Sequence, residues 1–143
     1  MLNWKNIAVD SLKIFRAMEL ALVNIPCEIE EIKWDMRKTE KAVMDGLTVD
    51  SVKDIQLSRS IMIRKLERRL ESTQAAVEAT KQAISVLTQE EKKILSDFFI
   101  SNTGKCMEDI AQDLGYSLAT MYRKKDAALW NYAVNLYRIG MNE

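Results

Sequence analysis

The chain has 143 residues, 48% of them hydrophobic, and its 21 lysines and arginines are balanced by 21 aspartates and glutamates. That is about one domain's length with enough apolar content for a core, and with zero net charge the whole molecule is not a polycation, so any affinity for nucleic acid has to come from local charge asymmetry. The absence of histidine removes Ser-His and Cys-His nucleophile pairs, imidazole metal ligands and imidazole proton shuttles.

One proline and four glycines are too few for the closely spaced turns of an all-β chain, so an all-α fold is expected. Nowhere do about 18 apolar residues run together. The start, "MLNWKNIAVDSLK", carries polar residues inside its apolar pattern and no small-residue cleavage signal. These features predict a soluble, cytoplasmic protein with no membrane contact. Cys27 and Cys106 show no CxxC spacing, as expected of free thiols in a reducing compartment.

The first segment, "LNWKNIAVDSLKIFRAMELALVNI", places Ile7, Ile14, Met18, Ala21 and Ile25 on one helical face. Pro26 suits the first turn of a helix better than its interior, so a corner is expected at Asn24 or Ile25, with one kinked helix as the alternative. From Pro26, Ile29, Ile32, Met36, Thr39 and Val43 repeat at three and four residues, the spacing of a coiled-coil seam. The seam breaks at "MDGLTVD": Asp45-Gly46 signals a turn, and Asp50 or Ser51 can cap the next helix.

Residues 51–87 contain neither glycine nor proline, and Ile63, Leu66, Leu70, Thr73, Val77, Thr80, Ile84 and Leu87 continue the alternation. A helix of that length reaches roughly 50 Å at about 1.5 Å per residue, twice the reach of the one before it. Its uncovered half, with Val77, Ile84 and Leu87, needs the first helix, the carboxy-terminal segment or another subunit, and a homodimer through the long helix is expected. In "RKLERR", Arg64, Lys65, Arg68 and Arg69 are either phosphate contacts or a solvated flank paired with Glu67 and Glu71.

"TQEE" at Thr88 is a capping box that opens a helix with Ile94, Leu95, Phe98 and Phe99 inward, and "SNTGK" closes it. "TGKC", residues 103–106, has the end of a phosphate-binding loop but not its beginning. The required upstream glycine falls on Phe99, and Cys106 lacks the hydroxyl for magnesium, so Gly104 is a turn residue. With no such loop, no histidine and no metal-ligand cluster, neither cofactor nor catalysis is expected.

"MEDIAQDLG" turns Ile110, Ala111 and Leu114 to one side, Gly115 makes a tight turn, and Ser117 caps a last helix with Met121, Ala128, Leu129, Tyr132 and Leu136 inward. The order Ala111, Gly115, Met121 (small residue, glycine, apolar anchor) is the spacing of a helix-turn-helix. From Tyr116 to Arg138 the cations Arg123, Lys124, Lys125 and Arg138 face Asp126 alone, while Thr88–Gly115 is acidic. In a groove-reading geometry the first turns present Ser117, Leu118, Ala119, Tyr122 and Arg123 to base edges, with Lys124 and Lys125 nearer the phosphates.

"LTQEEKKILSDFF" and "MEDIAQDLGYSLATMYRKKDAAL" together resemble the carboxy-terminal helix-turn-helix of bacterial sigma factors, and more closely the small phage and prophage regulators of the ArpU and RinA kind. The resemblance covers roughly residues 26–129. It implies phage or prophage transcription control by binding double-stranded DNA, with RNA polymerase as a further partner, through Ser117, Ala119, Thr120, Arg123 and Lys124. Two positions depart from the pattern: Cys106 stands at a usual serine cap and Tyr116 at a usual small aliphatic residue.

The expected architecture is therefore a helical hairpin or coiled coil over residues 1–87 and a three-helix, sigma-like helix-turn-helix domain over 88–143. Two other functions remain open. One is a DNA-packaging protein resembling small terminase subunits, although those usually place the DNA-binding part first. The other is a module that binds polymerase and not DNA.

Overall fold

The computed structural model of the protein describes residues 3–46, 49–101 and 104–141. The chain is all-α, with no strand among the described residues. In order come α1 (Trp4–Lys13), α2 (Phe15–Met44), α3 (Val49–Ser85), α4 (Gln89–Leu95) with a π-helical turn over Ser96–Ile100, α5 (Met107–Leu114) and α6 (Leu118–Met141). They form two compact units, Met18–Ala75 and the remainder of the chain. The contacts thus part at Ala17/Met18 and Ala75/Ala76 and not at residues 87/88, because the first helix and the end of α3 pack into the carboxy-terminal unit.

In the unit Met18–Ala75, α2 and α3 lie antiparallel. Gln56 Nε2 donates to the Met36 carbonyl at 2.9 Å, and Arg59 Nη1 donates to the Asp35 carbonyl at 3.2 Å and to Thr39 Oγ1 at 2.5 Å. Ile29 is buried and Ile32, Met36, Thr39 and Val43 are half-buried, as are Ile63, Leu66, Leu70 and Thr73 of α3, so the heptad positions face inward as their spacing predicts. The seam also runs further back than Ile63, through Val52, Gln56 and Arg59.

Two local expectations are corrected. The helix breaks at Ile14 and not at Asn24 or Ile25, and α2 continues through Pro26, so the single-helix alternative holds. Proline lacks the N–H that would bond the Leu22 carbonyl, but burial of Ile25 and Ile29 on either side offsets that loss. Pro26→Ala restores the bond and is expected to stabilise this helix pair by roughly 1–3 kcal/mol, read from the urea unfolding midpoint. At the other end, α3 begins at Val49, so Asp50 and Ser51 lie within its first turn. Gly46 does take the positive φ expected of the turn, at 113°, while Leu47 and Thr48 lie outside the described residues.

The other unit has two apolar centres. Ala8 and Leu12 of α1 meet Ala83, Leu87, Leu95, Ala128, Leu129 and Tyr132 in the larger one. Ile94, Ile110, Ala111 and Met121 form the smaller, with Phe98, Met107, Leu114 and Tyr116 packed against it. The face of α1 is therefore shifted by one residue from the expected one: Ile7 and Ile14 are about half exposed, at 49% and 51%. Ala8 wins because its small side chain lets α1 approach α6 closely.

The distal seam of α3 is likewise satisfied inside the chain. Val77, Thr80, Ala83 and Leu87 are buried, the last two within the larger centre, so no second subunit is required to cover them. The premise for a homodimer through this half of the long helix is thereby removed. No described helix is long and apolar enough to cross a membrane.

Candidate nucleic-acid interface

The platform for α6 begins with the capping box. Thr88 Oγ1 accepts from the Glu91 amide at 3.2 Å, and Glu91 Oε1 accepts from the Thr88 amide at 3.1 Å. The other carboxylate oxygen of Glu91 accepts from Asn131 Nδ2 at 2.6 Å, tying the start of α4 to the middle of α6. Partial burial pushes the Glu91 carboxyl up, but the bonds from Asn131 and Thr88 outweigh it and hold the group below its usual value.

After α4 the Ser101 amide reaches the Ser96 carbonyl at 2.8 Å, closing the wider π turn. Asn102 and Thr103, expected at the helix exit, lie outside the described residues. Lys105 Nζ binds Asp113 Oδ2 at 2.9 Å across the start and end of α5. At the amino end of α5 the Cys106 amide donates to Asp109 Oδ2 at 3.3 Å, and its thiol donates to the Asp109 and Glu108 carboxylates, each at 3.2 Å. The Asp109 amide favours the thiolate, but the two carboxylates prevail and hold Cys106 above its usual value, as a thiol. Cysteine can therefore stand at the serine position.

The turn into α6 follows from Gly115. It adopts φ 76° and ψ 27°, and the paired bonds Gly115 N to Gln112 O (3.2 Å) and Tyr116 N to Ala111 O (2.9 Å) close α5 in a Schellman ending. Ser117 then caps α6, its hydroxyl oxygen accepting from the Thr120 amide at 3.3 Å and its hydroxyl lying 2.9 Å from Thr120 Oγ1. Met121, Ala128, Leu129 and Tyr132 are fully buried, as their stripe predicts.

The candidate contact residues separate into two groups. Ser117, Leu118, Ala119, Tyr122 and Arg123 are exposed, and Arg123 has no ion-pair partner among the described residues. Lys124, by contrast, lies 3.3 Å from Glu90 Oε1 and 4.7 Å from the Tyr116 ring centroid. Tyr116 and Lys124 hold the Glu90 carboxyl below its usual value, and Glu90 and Tyr116 hold Lys124 above its own. Lys125 sits 5.4 Å from the ring centroids of both Phe98 and Tyr122, without a carboxylate partner among the described residues. Thr120 is half-buried beside the cap, and Asp126 is neutralised by Lys5 of α1 at 2.8 Å.

Compared with known proteins, the chain matches no family model, no curated protein and no solved structure. What the interface can do thus rests on its own chemistry.

Two roles lie outside the sequence periodicity. Lys5 and Glu90 belong to other helices yet set the charge of α6, cancelling Asp126 and Lys124 respectively, so Arg123 and Lys125 carry the unneutralised positive charge of its first half. The acidic opening of α4 against a basic helix is the signal that points to Glu90. The tyrosines also differ in fate: Tyr116 packs at the edge of the smaller centre, whereas Tyr122 is 49% exposed.

Glu90, Glu91 and Asp113 all have carboxyl groups held low in the folded state. Between the folded and unfolded values the unfolded chain binds more protons, so this stabilisation is present above the ordinary carboxylate range and is lost as pH falls through the folded values. The thermal midpoint of the unit is expected to drop from neutral pH to about pH 3, and Glu91→Gln should flatten that limb. An acid limb identical in the variant would show that Glu91 carries none of it.

Proposed function

We propose that the protein is a transcription regulator that binds double-stranded DNA by inserting the first turns of α6 into the major groove, with α5 bracing it as in a helix-turn-helix. The observation that carries this reading is the division of residues in the first two turns of α6. Met121 is fully buried as the anchor, while Leu118, Ala119, Tyr122 and Arg123 are exposed in the turns that follow the left-handed Gly115 and the Ser117 cap. Arg123 suits a guanine edge or a phosphate, Leu118 and Ala119 suit a thymine methyl, and Lys125 supplies charge toward the backbone. Ser117 and Thr120 serve mainly the helix start. Lys124 contributes once it leaves Glu90.

The likeness of "EDIAQDLGYSLATMYR" to phage and prophage regulators extends the proposal to phage or prophage operons. Leu118 and Tyr122, apolar and outward on the same face, favour one second reading, in which the surface meets a protein such as RNA polymerase. Titrating the full chain onto a labelled random duplex separates the two. Groove and phosphate binding predicts a log-log affinity plot that falls linearly with salt by about 0.9 per phosphate contact. No binding at about 50 mM salt would overturn the DNA reading and leave the protein-facing one.

A further inference from the structure

A groove of about 400 Å³ runs between α2 and α3, lined by Glu28, Glu31, Ile32, Met62, Lys65 and Leu66. Its floor is apolar: Ile32 and Leu66 are half-buried and Met62 is 52% exposed. Its walls are charged with opposite sign. Glu28 and Glu31 edge the α2 side and Lys65 the α3 side, and Arg69, one further turn along α3, continues the basic edge. Within the chain none of these four makes an ion pair among the described residues.

The antiparallel register seen at Gln56–Met36 and Arg59–Asp35 puts Lys65 level with Glu28 and Glu31. A twofold axis parallel to the helices keeps those levels while laying α2 of one copy on α3 of the other. Each acidic edge then meets a basic edge, twice over, and the apolar floors close on each other. The other way of stacking two hairpins, about an axis across the helices, sets acid on acid and base on base. Only the first is self-complementary, as an isologous interface has to be.

We propose that this groove is the interface of a homodimer, in which two α2–α3 hairpins stack into a four-helix bundle. The partner is a second copy of this chain. This surface is separate from the distal seam of α3, which the chain buries itself, and the inference stands whether or not α6 reads DNA.

Sedimentation equilibrium of the full chain without DNA tests it. The expected mass is about 33 kDa, twice the 16.5 kDa of one chain. Lys65→Glu with Arg69→Glu should weaken self-association at least tenfold, and so should Glu28→Lys with Glu31→Lys, each with unchanged helical circular dichroism because all four residues are exposed. Mixing the two variants should restore dimers as heterodimers, which a merely structural defect would not do. Met62→Lys should give monomers. A monomeric parent chain at about 100 μM, a ring of many subunits, or a dimer indifferent to both charge reversals would each overturn the proposal.

Discussion

Leu12→Ala is expected to lower the unfolding free energy of the unit that holds α4, α5 and α6 by about 2–5 kcal/mol, as much as a truncation inside α6 itself. Leu12 is fully buried in the centre shared with Leu87, Leu95, Leu129 and Tyr132, so removing its isobutyl group leaves a cavity that rigid neighbours on three other helices fill only in part. The polar ties between α1 and α6 do not substitute for it. Lys5–Asp126 is half exposed and contributes at most about 1 kcal/mol, and the hydrogen bond between Ser11 and Tyr132 persists only while the helices stay packed.

The Trp4–Trp130 pair, edge to face at 5.0 Å, reports the same contact. Urea unfolding followed by tryptophan fluorescence and near-ultraviolet circular dichroism measures both. A loss below about 1 kcal/mol would mean that α1 is an appendage and that α6 is held by α4 and α5 alone.

The second large effect falls on recognition. Arg123→Ala is expected to weaken binding to a cognate duplex by roughly 5- to 150-fold, equivalent to about 1–3 kcal/mol, and to reduce the salt slope by about one if the contact is to phosphate. Lys124→Ala should cost less, because in the free protein that ammonium is already engaged by Glu90 and must give up the pair to reach DNA. Glu90→Gln should accordingly strengthen binding. Equal losses for Arg123→Ala and Lys124→Ala, or no gain from Glu90→Gln, would show that the pair with Glu90 does not control the charge of this face.

The inward lines of α2, α3 and α6 were legible in the sequence because they depend on local periodicity: a heptad seam or a helical stripe needs only one face to be apolar. The caps at Thr88 and Ser117 and the turn at Gly115 were legible for the same reason, since each is set by a few neighbouring residues. Long-range competition was not. Proline statistics placed a corner near Pro26, but burial of Ile25 and Ile29 carries the helix through it.

Ile7 and Ile14 are the stronger hydrophobes of α1, yet the fit of Ala8 and Leu12 to α6 turns the helix the other way. In the candidate interface, the outward position of Arg123 follows from helical spacing. The engagement of Lys124 by Glu90 and of Asp126 by Lys5 joins residues far apart in sequence, so one-dimensional charge counting did not show which charges of α6 are free.

The proposed function stands or falls with groove reading by the amino-terminal turns of α6. Selection of bound duplexes from a random pool by the full chain, at physiological salt and in parallel with Arg123→Ala, tests it most directly. The predicted result is enrichment of a defined site by the parent chain and loss or relaxation of that site at one or more base positions in the variant. A pool that stays random, or the same site enriched equally by both proteins, would contradict it.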